Sequence, residues 1–228
     1  MIEKFREAYT SRFERAKQFK ESGKKVIGWM CIYVPEEIFH AAGMVPIRVL
    51  GVSGKTMKAD AYFSSNMCSF TRSCLQAAFD GQYDFLDGLV TGNNCDHVRR
   101  LFDVWQSYQN TPFLKVLSIP NKVSEESLSF YRSELVRLKR GLEDHFGLGE
   151  ISSGALRDSI DLFDRMRRLL REIYLLRQGS PKLTGTEALE VVRAGMVMPK
   201  EEFVELLEEL LGWLQERQPV LEDCPRLL

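Results

Sequence analysis

The sequence predicts an α/β protein with a parallel, Rossmann-like (flavodoxin-like) sheet, helices on both faces of that sheet, and a helical layer after it. In the first half of the chain, short apolar segments alternate with segments of helical period, as they do in βαβ units. From residue 124 onward the apolar residues recur every three or four positions, which indicates helices. We therefore expect an α/β domain over 1–122 that carries the cysteine loops, a helical region over 123–220, and the start of a second α/β domain over 221–228.

Each predicted element has a local signal. Residues 1–23 are predicted to be helical because apolar residues lie three or four positions apart, with Gly23 as the stop; they are Phe5, Tyr9, Phe13, Ala16 and Phe19. Pro35 opens the next helix at its first turn and Gly43 closes it. The predicted strands cover 25–30, 45–51, 84–91 and 113–119, and the other predicted helices cover 34–43, 69–80, 98–108, 186–194 and 200–217.

Composition narrows the class of protein. The 228 residues include 31 basic and 32 acidic side chains that are interspersed along the chain, so charge gives no reason to expect a nucleic-acid or membrane partner. The amino terminus lacks the apolar core of a secretory signal, and no segment approaches the roughly 18 to 20 apolar residues that span a bilayer. We therefore expect a cytoplasmic protein, in which the five cysteines are thiols or metal ligands rather than disulfides.

Three of these cysteines follow predicted strands. Cys31 follows the first strand, Cys68 lies in the long connection after the second, and Cys95 follows the third. Because the carboxyl ends of parallel strands share one edge of a sheet, we expect the three thiols along that edge. Thiolates are the usual ligands of iron–sulfur clusters. Cys68 and Cys95 are therefore predicted to be metal ligands, the alternative being buried, inert thiols.

Four motifs, in this order and spacing, resemble the 2-hydroxyacyl-CoA dehydratase and benzoyl-CoA reductase family. They are GWMCIYVPEEIFHAAGMVP at 28–46, Cys68 with Arg72-Ser73, YDFLDGLV at 83–90, and CDHVRRL at 95–101 with Trp105. The resemblance covers the predicted α/β half well and the helical half by its general layout. It is specifically to the amino-terminal part of the iron–sulfur subunit of that family, the D-component.

The resemblance implies an oxygen-sensitive enzyme subunit with a [4Fe–4S] cluster held by three cysteines. Cys68 and Cys95 match two of these positions, and the third lies in a domain that this chain does not reach. It also implies a heterodimer with a homologous second subunit, an acyl-CoA substrate, and one-electron reduction by a separate ATP-dependent iron–sulfur activator protein. In the dehydratases of anaerobic metabolism, the reaction eliminates water through a ketyl radical.

Three further residues are predicted to be catalytic. Cys31 is expected near the open iron of the cluster, and Glu37 and His40 on the helix after it are expected to face the substrate. Each has a simpler alternative. In the alternative, Cys31 is a small core residue at a strand end. Glu37 then stabilises the positive end of a helix dipole, and His40 is a hydrogen-bonded structural group.

Five polar residues near the two predicted metal ligands are predicted to bind the cofactor or CoA: Arg72, Ser73, Asp96, Arg99 and Arg100. Guanidinium groups bind phosphate and cluster sulfur through fixed donors. The alternative is that these residues are solvated charges at the beginning of a helix.

Two other functions stay open at this point. One is a benzoyl-CoA reductase-type or double-cubane ATP-dependent reductase subunit, and the other is a non-catalytic scaffold subunit with the same fold.

Overall fold

A computed structural model describes residues 1–178 and 181–220. This part of the chain contains four strands and ten helices. The strands are β1 (Val26–Met30), β2 (Val45–Arg48), β3 (Gly88–Gly92) and β4 (Phe113–Leu117). The helices are α1 (Ile2–Thr10), α2 (Arg12–Glu21), α3 (Glu36–Ala41), α4 (Met57–Asp60), α5 (Ser69–Phe79), α6 (Asp96–Tyr108), α7 (Glu125–Phe146), α8 (Ser153–Leu175), α9 (Gly185–Gly195) and α10 (Lys200–Glu216).

The four strands form one parallel sheet in the order β2-β1-β3-β4. In register, Val26 of β1 lies opposite Val45 of β2, Ile27 lies opposite Gly88 of β3, and Gly88 lies opposite Phe113 of β4. This is the strand order of flavodoxin-like folds, in which the chain reverses its direction of travel between the first and third strands. The predicted fold class is confirmed.

The direction of travel decides which face of the sheet each connecting helix covers. Helix α3 links β1 to β2, whereas α5 and α6 lie on connections that run the opposite way across the sheet. Since such crossovers are right-handed, α3 covers one face and α5 and α6 cover the other. Helix α7 packs on the α3 face, where its Leu138 and Leu142 join Ile27 and Val90 in one buried cluster.

A second group of helices has its own apolar core. The chain divides into two compact units, one formed by Phe13–Leu156 and the other by Met1–Arg12 with the residues from Arg157 onward. In the latter unit, α1, α8, α9 and α10 bury apolar side chains together. The cluster consists of Ile2, Phe5, Ala8, Ile173, Leu183, Val191, Ala194, Met198, Phe203, Leu206, Leu207, Leu210 and Leu214. The predicted helical layer is present.

The single helix predicted over 1–23 is wrong in one respect, because it is interrupted at Ser11. The Thr10 hydroxyl donates to the Arg6 carbonyl oxygen at 3.0 Å, and the Ser11 hydroxyl donates to the Glu7 carbonyl oxygen at 2.7 Å. Such bonds from hydroxyl groups to the preceding turn compete with the helical pattern. The interruption lies next to the boundary between the two compact units.

Two other predictions on chain organisation have no structural test. The domain boundary after residue 122 stays a prediction, and the predicted start of a further domain at 221–228 lies outside the described residues. Across the residues that are described, no helix combines the length and the apolar character that a membrane span requires.

The Asp87 side chain hydrogen-bonds to the first residue of β1. Its side chain is only 9% exposed, and it accepts the backbone N–H of Val26 at 3.0 Å while pairing with Lys20 and Lys25. An Asp87→Ala variant leaves that N–H without its partner, so we expect the free energy of unfolding to fall by about 1–3 kcal/mol in urea denaturation.

The matched control for this variant is Asp103→Ala, which removes an exposed ion pair with Arg100. We expect a loss of at most about 0.5 kcal/mol from the control, because exposed pairs contribute little. Equal losses from the two variants would contradict the role assigned to Asp87.

Candidate functional site

The candidate site lies where the strand order reverses, at the carboxyl ends of β1 and β3. Loops leaving two such strands diverge toward opposite faces, and this leaves a crevice in which ligands of α/β proteins bind. Cys31 directly follows β1, and Cys95 follows β3 through two asparagines. The sequence-based expectation that these loops share one edge is confirmed by the parallel pairing of β1 with β3.

Cys31 is held in an unusual backbone conformation beside the β3 loop. Its φ is +85°, the only positive φ of a residue other than glycine in the described chain. Its thiol donates to Oδ1 of Asn94 at 2.9 Å. Gly92 makes this approach possible, because a Cβ atom there would lie 2.7 Å from Asn94 Oδ1 and 3.4 Å from the Cys31 sulfur. The turns after β1 and β3 are therefore joined by a side-chain contact.

Asn93 fixes the other side of the same turn. Its backbone N–H donates to the Leu117 carbonyl oxygen at 3.1 Å, and its Oδ1 accepts the Ile119 N–H at 2.9 Å. These bonds extend the pairing of β3 with β4 past the last residues of both strands. Consecutive asparagines thus tie the segment before Cys95 to β4 on one side and, through Asn94, to Cys31 on the other.

Cys68 and Cys95 occupy equivalent positions on two helices. Cys68 is the N-cap residue of α5, Cys95 is the N-cap residue of α6, and neither side chain caps its own helix. The two helices pack against each other, and both thiols are partly exposed. A helix amino terminus carries a partial positive charge that favours thiolate over thiol. Both sulfurs are therefore placed where a metal ligand is chemically favoured.

The Cys68 loop is linked to the Cys95 loop through His97. The backbone N–H of Cys68 donates to Nδ1 of His97 at 2.8 Å, although the two residues are 29 positions apart. The Cys68 sulfur also lies 3.3 Å from the hydroxyl oxygen of Thr71, a fully buried residue. Burial raises the pKa of the Cys68 thiol, but hydrogen bonding from Thr71 and the neighbouring His97 ring outweigh it, so the net pKa is lowered.

Cys74 has the opposite character, although it lies on the same helix as Cys68. It is completely buried, and this burial raises the pKa of its thiol to about 12. A thiol in such surroundings stays protonated and inert. Cys74 is part of the apolar core and is not a ligand candidate.

The predicted cofactor-binding residues have partners in the structure. Arg72 donates through Nε to Asp60 at 2.7 Å, and the Ser73 hydroxyl donates to the Phe70 carbonyl oxygen at 2.9 Å. On α6, exposed ion pairs join residues one turn apart: Arg99 with Asp96, and Arg100 with Asp103. All five predicted residues lie on the first turns of α5 or α6, near Cys68 or Cys95.

Two of the predicted catalytic residues lie on α3. Glu37 is in the first turn of α3 and His40 is in its last turn. Tyr131 of α7 lies beside Cys31 and Glu37: burial raises the pKa of the Tyr131 phenol, and the charges of these two neighbours raise it further. The Tyr131 hydroxyl donates to the carbonyl oxygen of Tyr33, which ties the loop after β1 to α7.

The donor groups that begin α5 and α6 are two partly exposed thiols, Cys68 and Cys95. Within residues 1–178 and 181–220, no three His, Cys, Asp or Glu side chains come together as a group that could hold a metal ion. Two thiols at the beginnings of packed helices, one of them with a lowered pKa, nevertheless supply the soft, anionic donors that iron–sulfur clusters require. In chemical character, Cys68 and Cys95 fit such a cluster as two of its ligands.

Comparison with known proteins decides the family. Residues 31–228 match the family model described as 2-hydroxyglutaryl-CoA dehydratase, D-component. The chain belongs to this family. The resemblance found in the motifs around Cys31, Cys68 and Cys95 is thereby confirmed.

Relatives of this D-component chain include subunits of two kinds of enzyme. It is 33% identical over 206 residues to a subunit of the benzoyl-CoA reductase of Thauera aromatica, covering 88% of this chain and 53% of the relative. It is 31% identical over 214 residues to the beta subunit of (R)-2-hydroxyglutaryl-CoA dehydratase of Acidaminococcus fermentans, covering 92% and 56%. It is 29% identical over 205 residues to the (R)-phenyllactyl-CoA dehydratase beta subunit of Clostridium sporogenes, covering 89% and 54%. The D-component chain spans about half the length of these relatives.

Several residues that build the site of this D-component chain were not among the predicted site residues. Asn93, Asn94 and His97 lie within the segment around Cys95, so their position beside a predicted ligand was a signal that could have identified them. Thr71 and Tyr131 gave no such signal. Helical periodicity alone assigns Tyr131 to an apolar stripe, and only its contacts with Tyr33 and Cys31 link it to the site.

The contrast between Cys68 and Cys74 predicts selective alkylation of the metal-free, folded protein. Iodoacetamide at pH 8 is expected to modify Cys68 at least about tenfold faster than Cys74, because only the thiolate reacts. As the pH rises, the Cys68 rate should reach its plateau below the pH of an ordinary cysteine. Peptide mass spectrometry after timed quenching measures both rates.

A Thr71→Val variant is the control, since it keeps the size of the side chain but removes the hydroxyl that lies 3.3 Å from the Cys68 sulfur and donates to the Cys68 carbonyl oxygen. Its Cys68 plateau should move to higher pH. Rapid labelling of Cys74 in the folded chain would refute this assignment of the two thiols.

Proposed function

We propose that the chain forms the amino-terminal α/β part of one subunit of an oxygen-sensitive [4Fe–4S] 2-hydroxyacyl-CoA dehydratase. In this proposal the enzyme eliminates water from an acyl-CoA substrate through a ketyl radical after ATP-driven one-electron reduction. Membership of the D-component family supports this reaction class, and two of the three named relatives are dehydratase subunits. Because the chain spans about half of those relatives, the activity belongs to the longer assembly.

One observation carries the proposal. Cys68 and Cys95 begin two packed helices at the same sheet edge, and a hydrogen bond from the Cys68 backbone to His97 joins their loops. If the two thiols had unrelated roles, there would be no reason for both to lie at the N-cap position of a helix. We infer that Cys68 and Cys95 are two of the three cysteine ligands of the cluster.

When bound, a [4Fe–4S] cluster with three cysteine ligands supplies a low-potential electron and one open iron that acts as a Lewis acid. The chain itself has three tasks. Cys68 and Cys95 bind as thiolates, the positive ends of α5 and α6 stabilise the negative charge, and Asn94 with Asn93 holds the segment before Cys95.

Residues beside Cys31 are proposed to face the substrate. The Cys31 thiol proton is directed at Asn94 Oδ1, so the thiol is oriented before any ligand binds. Glu37 is proposed to accept or relay a proton at its carboxylate, with His40 one turn further along α3. The Tyr131 phenol, whose pKa is raised by burial and by Cys31 and Glu37, donates its proton to the Tyr33 carbonyl oxygen and so holds the loop after β1 beside these residues.

The charged residues on α5 and α6 are proposed to bind CoA or to hydrogen-bond the cluster. Arg99 and Arg100 pair with exposed carboxylates on their own helix, and such pairs cost little to exchange for a phosphate group. Arg72, Ser73 and Asp96 complete this proposed group. Guanidinium forks suit phosphate because they present parallel donors.

A second candidate function is reduction of an aromatic acyl-CoA. The observation that favours it is 33% identity to a subunit of benzoyl-CoA reductase over 88% of this chain. The proposed ligands and activation are the same in both cases, and the substrate decides between elimination and ring reduction.

The proposed assembly includes a homologous second subunit and a separate ATP-dependent iron–sulfur activator. Relatives that are named as one subunit of a larger enzyme, such as the dehydratase beta subunits, support the first partner. The one-electron chemistry of the proposed reaction requires the second, because nothing in a thioester substrate supplies an electron.

Serine substitutions test the proposed ligands. In the longest natural form of the protein, purified anaerobically with its partner subunit, Cys68→Ser and Cys95→Ser should each lose most of the iron and sulfide. Loss of a cluster thiolate removes both charge and a strong donor. Iron and sulfide analysis together with electron paramagnetic resonance measures the effect.

Cys74→Ala is the matched control and should keep the cluster, because Cys74 is buried and inert. A colourless protein that holds zinc or no metal would overturn the proposal. More than about four iron atoms per chain would indicate a double-cubane reductase instead, and normal turnover after both serine substitutions would indicate a scaffold subunit.

A further inference from the structure

His97 makes the contact that connects the two cysteine loops. Its Nδ1 accepts the backbone N–H of Cys68 at 2.8 Å, and His97 itself lies in the first turn of α6, directly after the Cys95-Asp96 pair. The bond thus fixes the position of the imidazole relative to the Cys68 backbone.

The donor of this bond is a group that α5 cannot satisfy. The first backbone N–H groups of a helix have no acceptor within it, and Cys68 is the N-cap residue of α5. The segment before it, 61–66, is largely exposed, and its hydrogen bonds are local: the Ser64 hydroxyl donates to Asn66 and the Met67 N–H donates to the Ser64 carbonyl oxygen. Its ring contact with α6 joins Tyr62 to Tyr108, at the far end of that helix from Cys95. His97 is therefore the side chain through which the Cys68 backbone is tied to the Cys95 helix.

Thr71 and His97 restrain Cys68 from different helices. The Thr71 hydroxyl, on the helix that Cys68 begins, lies 3.3 Å from the Cys68 sulfur and donates to the Cys68 carbonyl oxygen at 3.0 Å. The His97 bond instead restrains the Cys68 backbone relative to a different helix, whose first residue follows Cys95. Of these bonds, only the one to His97 joins the two cysteine segments.

We propose that His97 is a positioning residue that holds the Cys68 and Cys95 backbones at a fixed separation, so that both thiolates are arranged before a metal cluster binds. This inference rests on the proposed function for its metal and on the 2.8 Å bond for its geometry. This role does not require His97 to contact the substrate.

Two substitutions at His97 separate this role from bulk and polarity. In His97→Asn the Oδ1 atom takes the place of Nδ1 and can accept the Cys68 N–H, whereas in His97→Gln the polar group lies at the position of Nε2. We expect hydrogen exchange of the Cys68 amide to be unchanged in the asparagine variant and about two- to tenfold faster in the glutamine variant, as for loss of one hydrogen bond.

The same pair is then compared in the longest natural form with its partner subunit, prepared anaerobically. Iron release to a chelator should be about tenfold faster in His97→Gln than in the unsubstituted protein, as for loss of a residue that orients a metal ligand, with near-normal release in His97→Asn. The electron paramagnetic resonance signal should broaden in the glutamine variant alone.

The outcomes distinguish the two proposals. If no form of the protein contains iron, the proposed function fails, and the amide exchange still tests the bond. If iron is present and His97→Gln matches the unsubstituted protein in both amide exchange and iron release, the role of His97 is overturned. Equal loss of iron in His97→Asn and His97→Gln would also overturn it, because His97→Asn keeps an acceptor at the Nδ1 position and should therefore keep its iron.

Discussion

The hydrogen-bonded pairing of β1 with β3 is the constraint from which the rest of the site follows. It places two strands that are far apart in the chain side by side, with Met30 opposite Thr91 at their carboxyl ends. Because β2 lies on the other side of β1, the chain reverses its direction at this pair, and the loops leaving β1 and β3 separate. A shift of this register would separate Cys31 from Asn94.

The helices that follow these loops contribute electrostatics as well as packing. Cys68 and Cys95 are the N-cap residues of α5 and α6, and neither sulfur is engaged in a capping bond to its own helix. The positive ends of both helices favour negative charge at the same edge of the sheet. The positive ends of α5 and α6 therefore lower the electrostatic free-energy cost of placing two thiolates at this edge.

Much of the fold could be predicted from the sequence because its signals are local. Alternation of apolar strands with helical segments indicated the parallel sheet, and the two helix-starting cysteines were recognised from their place after strands. The interruption at Ser11 was missed, because hydroxyl bonds to the preceding turn leave the apolar period unchanged. Short α4 was also missed, since four residues carry no measurable period.

The parts of the site that could not be predicted depend on contacts between distant segments. Nothing in the sequence near Tyr131 indicates that its hydroxyl reaches the Tyr33 carbonyl, because α7 is brought there by packing on the sheet. His97 could be suspected from its place beside Cys95, but its partner, the Cys68 amide, lies on another connection. Sequence reasoning identifies the chemical groups, and the tertiary packing decides which of them meet.

The left-handed backbone of Cys31 has a thermodynamic consequence. A side chain in that conformation costs about 1–2 kcal/mol relative to glycine, which adopts it freely. The chain therefore gives up some stability in order to have sulfur at this turn. The turn keeps its shape because Asn94 and Tyr131 hydrogen-bond to it from other parts of the chain, and because Gly92 leaves room for Asn94 to approach. The turn is rigid because these neighbours restrain it. If they move, the backbone at Cys31 can leave its strained conformation.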